Sequence, residues 1–70
     1  MSRDDNYKLL IAAIIEQAVN DYRAALRSGR PERTQPLERF FLSEWGQLLT
    51  RGYGEDIIER VKREIKNAPY

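Results

Sequence analysis

The stretch from Leu37 to Leu49 carries most of the bulky apolar surface of this chain. It holds the single tryptophan, both phenylalanines and four leucines. Rotated as a helix, it places its apolar side chains on one broad arc and most polar ones on the other side. That arc contains Leu37, Phe41, Leu42, Trp45, Leu48 and Leu49. The pattern predicts an amphipathic helix at the centre of the core, with Phe40 pointing to its side. Trp45 is assigned to the core, and an additional contact role for it stays open.

A second apolar pattern occupies the N-terminal part of the chain. Its stripe runs through Tyr7, Ile11, Ile14, Ile15, Ala18, Val19, Tyr22, Ala25 and Leu26. Steps of four and three along this stripe resemble a coiled-coil seam, which predicts a long helix. Gly29 suits the left-handed residue that commonly ends a helix. Leu9 and Leu10 lie off the stripe, so the first turns are apolar on nearly all sides and require more than one neighbour.

Proline and glycine positions set the remaining boundaries. Pro36 fits the first position of a helix, and Gly52 with Gly54 marks a turn before a narrow apolar stripe of Ile57, Ile58, Val61 and Ile65. The sequence therefore predicts an all-α fold, a compact three-helix domain over residues 1–70 with helices at about 6–28, 36–50 and 55–66. The long first helix should pack along the second, with the third laid across. We expect Trp45, Phe41, Leu37, Leu48, Ile15 and Tyr22 to organise the core.

Composition excludes several kinds of chemistry. The chain has no cysteine and no histidine, which removes disulfides, zinc fingers, thiol catalysis and imidazole bases. Its longest apolar run, Leu9 to Ile15, is too short to span a bilayer, and the mixed charges before it do not resemble a signal peptide. We therefore expect a cytoplasmic, non-enzymatic protein with no cofactor, metal, membrane association or small-molecule substrate. A chain of 70 residues commonly gains stability by oligomerisation.

Two groups of residues are candidates for binding. Leu9, Leu10 and Phe40 lie off the apolar stripes, which favours contact with a protein partner or a second copy of the chain. The second group comprises Arg23, Arg27, Arg30 and Arg33. With Ser28 and the Gly29 amide, these arginines could hold a phosphate or a nucleic-acid backbone. The competing interpretation is a solvated helix end, where cations interact favourably with the helix dipole.

The second and third predicted helices have about the connection of a helix-turn-helix. In that motif the start of the second helix meets base edges and phosphates. Here that start carries Glu55 and Asp56, followed by Glu59, and phosphates would repel these carboxylates. The pattern indicates a salt-bridged, solvated face, neither a DNA-reading helix nor a catalytic carboxylate pair.

Residues 16–26 (EQAVNDYRAAL), 38–45 (ERFFLSEW) and 48–50 (LLT) together carry a resemblance. They are similar to small uncharacterised proteins encoded in phages and prophages of Gram-positive bacteria. The similarity spans most of residues 11–65, although the connector over residues 28–35 is shorter here. The resemblance implies a phage-type, cytoplasmic accessory protein and transfers no activity.

Together these patterns favour a non-enzymatic protein-interaction module that self-associates as a homodimer through its apolar first helix. The alternative is a small nucleic-acid-binding regulatory protein that uses the arginine group. Neither the partner's identity nor the biological process follows from the sequence.

Overall fold

A computed structural model describes residues 3–67 of the chain, and this part consists of helices joined by short turns. The helices are α1 (Arg3–Ser28), α2 (Pro31–Leu42), α3 (Glu44–Leu49) and α4 (Gly54–Lys66). No strand occurs within residues 3–67. The compact all-α prediction is confirmed, and the first helix is long, at 26 residues. Four helices replace the predicted three, because the predicted second helix is divided.

Ser43 divides the predicted second helix into α2 and α3. Its backbone is extended, at φ −68° and ψ 162°. The Ser43 hydroxyl donates to the Phe40 carbonyl at 2.7 Å and accepts from the Gly46 amide at 3.0 Å. Ser43 therefore ends one helix and caps the next, the position for which serine is strongly favoured. The change of direction moves Trp45 and Leu48 off the apolar arc that a continuous helix would have given them.

The turn between α1 and α2 is shorter than the sequence indicates. Gly29 adopts φ +69°, which confirms the predicted left-handed end of α1. Pro31, rather than Pro36, lies in the first turn of α2. Pro36 falls inside α2, where it has no N–H to donate to the carbonyl of Glu32. The prediction that α2 begins at Pro36 is therefore wrong, since Pro31 satisfies the same preference one turn earlier.

Polar contacts fix the relative directions of the helices. Arg23 on α1 pairs with Glu64 on α4, and Val19 lines a cleft together with Ile57 and Val61. Residue numbers increase in the same direction along α1 and α4 through these contacts, so α4 runs parallel to α1. α2 returns antiparallel to both, because the turn at Gly29 reverses the chain. The molecule measures 44 × 25 × 17 Å, and its long axis matches the ~39 Å that a helix of this length spans.

The core lies where the C-terminal half of α1 meets α2 and α4. Its buried members are Ala18, Tyr22, Phe41, Ile58 and Val61, with Leu37, Phe40 and Ile65 among the partly buried residues around them. Tyr22 and Phe41 are the large side chains with no exposed surface, and their rings meet edge to face at 6.0 Å.

Trp45 and Leu48 do not belong to this core. They are 59% and 69% exposed, so their predicted core positions are wrong, whereas those of Tyr22 and Phe41 are confirmed. Ile15 is half-buried. Trp45 and Leu48 are exposed because of the break at Ser43, since α3 turns the face that carries them away from the core.

Two glycines bring the starts of α3 and α4 against the end of α2. A Cβ atom at Gly46 would lie 1.8 Å from the Phe40 carbonyl oxygen, and one at Gly54 would lie 2.1 Å from that of Phe41. The Gly54 amide also donates to the Gln47 side chain at 3.3 Å. No side chain larger than hydrogen fits at either glycine without movement of the backbone.

Candidate functional site

An exposed apolar surface covers the N-terminal half of α1 and the outer face of α3. We call it the apolar end, and it comprises Tyr7, Leu9, Leu10, Ile14, Trp45 and Leu48, all of them exposed. Leu48 borders α1 across a cleft that is also lined by Ile11, Ala12 and Ile15. Trp45 lies one turn before Leu48, on the same side of α3. Both helices therefore expose apolar side chains at this end of the molecule.

The predicted contact residues are divided between this surface and the core. Leu9 and Leu10 are 60% and 58% exposed and lie in the apolar end. Phe40 is half-buried and packs edge to face against Phe41, with the ring centroids 5.5 Å apart. The structure thus separates Phe40 from the two leucines. Sequence reasoning missed Leu48 as a surface residue, although Ser43 followed by Glu44 was a readable signal for a new helix start.

The four predicted arginines differ in their surroundings. Arg23 forms an ion pair with Glu64 and also donates to Asn20 at 2.9 Å. Arg27, Arg30 and Arg33 are exposed, and no described carboxylate lies within ion-pair distance of them. The Arg23 guanidinium therefore joins α1 to α4. The guanidinium groups of the other three arginines form no ion pair with a described side chain.

A polar group links the three helices that form the core. The Tyr22 hydroxyl donates to Glu38 at 2.6 Å, and the Lys62 ammonium lies 3.6 Å from the same carboxylate oxygen. Burial raises the pKa of the Tyr22 phenol, and the hydrogen bond to Glu38 and the negative charge of that carboxylate raise this pKa further. Tyr22 therefore stays protonated where an unfolded tyrosine would ionise, and the contact holds α1 against α2.

We expect Tyr22→Phe to lower the free energy of unfolding by about 1–2 kcal/mol at neutral pH, since it removes a hydrogen bond to a charged acceptor. The phenol pKa is raised in the folded state, so its contribution is complete below pH ~10 and is lost as the pH rises further. Urea titrations of both proteins at pH 7 and above pH 10 should show the difference shrinking. Glu38→Gln is the control, because it removes the negative charge but keeps an oxygen that can accept the hydrogen bond from the Tyr22 hydroxyl. Equal stability of wild type and Tyr22→Phe at pH 7 would contradict this role.

The carboxylates considered for catalysis lie on the solvent side of α4, where Glu55, Asp56 and Glu59 are all exposed. Within residues 3–67, no three acidic side chains cluster as a metal site would require. None of the helices in that range has the length and apolar content needed to cross a membrane.

Comparison with protein-family models, curated proteins and solved structures gives no significant match.

Proposed function

We propose that this chain is a non-enzymatic protein-interaction module that self-associates as a homodimer through the apolar end. The observation that carries the proposal is the exposure of Leu9, Leu10 and Trp45, each above half of its surface. Tryptophan is enriched among the residues that provide most of the binding energy at protein interfaces, and the two leucines add apolar area whose removal from water favours association. A surface that combines several such side chains on two adjacent helices is typical of an interaction site.

Helix lengths explain why this surface stays uncovered within the part of the chain that the structure describes. α2 has 12 residues and α1 has 26, so α2 is about 18 Å long against about 39 Å for α1. Ala18, Ile14 and Tyr7 follow one another at steps of four and seven, which places them on one face of α1. That face is buried at Ala18 and exposed at Ile14 and Tyr7. A helix from another molecule would continue the packing where α2 stops.

The area of exposed surface fits a subunit of a dimer. The chain exposes 5649 Å², whereas a compact monomer of 8.2 kDa exposes about 4,500 Å². The excess of roughly 1,100 Å² exceeds the ~800 Å² that each partner loses in an interface of standard size. Burial of the apolar end in a dimer would remove much of this excess.

Charge favours a second copy as the partner. In a two-fold dimer the same patch meets itself, so charges within the patch tend to meet like charges. Between Asn6 and Ile15 the only charged residue is Lys8. An almost uncharged patch therefore suits self-association. A phage-type accessory role in the cytoplasm, which the sequence resemblance implies, is part of this proposal.

Exchange of two exposed leucines tests the proposal. We expect wild type to show twice the chain mass of 8.2 kDa by light scattering, and Leu9→Gln/Leu10→Gln to show the monomer mass with an unchanged helical spectrum. The helical spectrum should persist because neither leucine is buried. The matched control is Leu42→Gln/Tyr53→Gln, which removes two exposed apolar side chains outside the apolar end and should leave the dimer intact.

Two results would contradict the proposed dimer. A wild-type protein that stays monomeric throughout a concentration series would exclude self-association. A leucine double variant that keeps the dimer mass would place the interface elsewhere on the molecule.

A further inference from the structure

The fold gathers positive charge at the end of the molecule opposite the apolar end. We call this region the basic end, and it comprises Arg27, Arg30, Arg33, Arg63 and Lys66, all of them exposed. The first three come from the end of α1, the turn and the start of α2, and the last two from the end of α4. They lie at the same end of the molecule because α4 runs parallel to α1 while α2 runs antiparallel to both.

Two contacts fix how far each cation lies along the long axis. The Arg23–Glu64 ion pair places these residues at one level, so Arg27 lies about 6 Å beyond it and Lys66 about 3 Å beyond it. The Tyr22–Glu38 hydrogen bond places Glu38 of α2 level with Tyr22 of α1 along the long axis. Arg33 precedes Glu38 by five residues, or about 7.5 Å towards the same end. The five cations therefore occupy a layer roughly 10 Å deep.

Positive charge dominates this layer. Residues 23–38 and 63–66 contain six cations and three carboxylates, Glu32, Glu38 and Glu64. Since the whole chain has a net charge of +1, the layer carries an excess of three positive charges and the remainder an excess of two negative ones. The small net charge thus hides a separation of charge along the molecule, and separation of this kind steers charged partners.

Helix dipoles do not neutralise this excess. The C-terminal ends of α1 and α4 and the N-terminal end of α2 meet here, and each contributes a partial charge of about one half. Two negative partial charges and one positive leave about half a negative charge, against three positive ones. Favourable placement of cations at helix ends explains Arg27 and Lys66. It does not explain Arg30 in the turn or Arg33 at the positive start of α2.

We propose that the basic end binds the phosphate backbone of duplex nucleic acid without reading base sequence. Guanidinium groups match phosphate geometry and bind it through paired hydrogen bonds. The large exposed apolar side chains of the described residues are Tyr7, Leu9, Leu10, Ile14, Leu42, Trp45, Leu48 and Tyr53. None belongs to the layer, so the described residues of the basic end offer no ring for stacking on single-stranded bases and no apolar anchor for a membrane.

The position of α4 also supports backbone contact. Its acidic first turn, with Glu55 and Asp56, lies about 16 Å from its basic last turn. α4 therefore approaches phosphate with its C-terminal end, and it does not enter a groove as a recognition helix does. This binding does not depend on self-association, because the apolar end lies on the other half of α1.

A salt titration with matched variants tests the proposal. We expect fluorescence anisotropy to show binding to a labelled duplex DNA at low salt, with a log–log salt slope of about −4 to −5 for five phosphate contacts. Arg30→Ala/Arg63→Ala should flatten that slope by about 2 and weaken binding at low salt by at least about tenfold. The control, Arg39→Ala/Arg51→Gly, removes two cations outside the layer and should change neither quantity. Glycine is chosen at Arg51 because this residue has φ +56°.

Three results would overturn the proposal. The first is absence of duplex binding at low salt. The second is equal weakening by the control pair, which would show that total charge matters and the basic end does not. The third is tighter binding to single-stranded DNA of the same length, or to vesicles of anionic phospholipid, than to the duplex.

Discussion

Gly46→Ala is expected to leave little folded protein. The added Cβ atom would meet the Phe40 carbonyl oxygen at 1.8 Å and the Phe41 Cα atom at 3.0 Å. Both contacts are with backbone, so no flexible side chain can move away. α3 would have to separate from the end of α2, and the Ser43 hydrogen bonds that join the two helices would break.

Gly46→Ala is expected to destabilise the protein, whereas the same substitution inside a helix usually stabilises it. Inside a helix, Gly→Ala normally stabilises by about 1 kcal/mol, because alanine has the higher helix propensity. Overpacking against a rigid neighbour costs about 1–3 kcal/mol and sometimes more. A backbone contact this short belongs beyond the upper end of that range, at about 4 kcal/mol. We expect a net loss of about 3 kcal/mol, and a domain of this size has only ~3–5 kcal/mol of core stability available.

Far-UV circular dichroism with urea titration measures the loss. Gly52→Asn is the matched control, because Gly52 has φ +85° with open space around its Cα atom and asparagine tolerates left-handed backbone better than most residues. Gly52→Asn should lower the free energy of unfolding by no more than about 1 kcal/mol. A Gly46→Ala protein within ~0.5 kcal/mol of wild type would mean that α2 and α3 do not approach as closely as described.

Local signals allowed a large part of the fold to be predicted. The long helix α1 and its end at Gly29 depend on periodicity and on one glycine, and both are confirmed. The apolar stripe of α4 was also predicted from periodicity, and Ile58 and Val61 are buried as that pattern requires. These features could be predicted because neighbouring residues alone determine them.

Tertiary contacts decided the features that sequence reasoning missed. A continuous helix from Pro36 to Thr50 also satisfies the apolar pattern, so the pattern did not distinguish it from the break at Ser43. The break brings Gly46 against the Phe40 carbonyl, and only glycine permits that approach. The exposure of Leu9 could be predicted, since α1 is apolar all round near its start. The placement of Arg63 and Arg27 at the same end of the molecule could not, because it depends on α4 running parallel to α1.

Phe41→Ala should unfold the protein, whereas Trp45→Ala should barely affect the stability of the single chain. The Phe41 side chain has no exposed surface, and its ring packs edge to face against Tyr22 and Phe40. Its removal leaves a cavity between three helices, at a cost of about 3–5 kcal/mol. That cost equals the whole stability expected for a core of this size.

Trp45 is the matched comparison, since it lies four residues away on the same predicted arc. With 59% of its surface exposed, its replacement should cost less than about 1 kcal/mol in the monomer. Urea titrations of both variants in the Leu9→Gln/Leu10→Gln background separate folding from self-association. In the wild-type background, Trp45→Ala should also weaken the dimer, because Trp45 belongs to the apolar end. An unfolded Trp45→Ala monomer would return the tryptophan to the core and restore the continuous helix that its sequence pattern predicts.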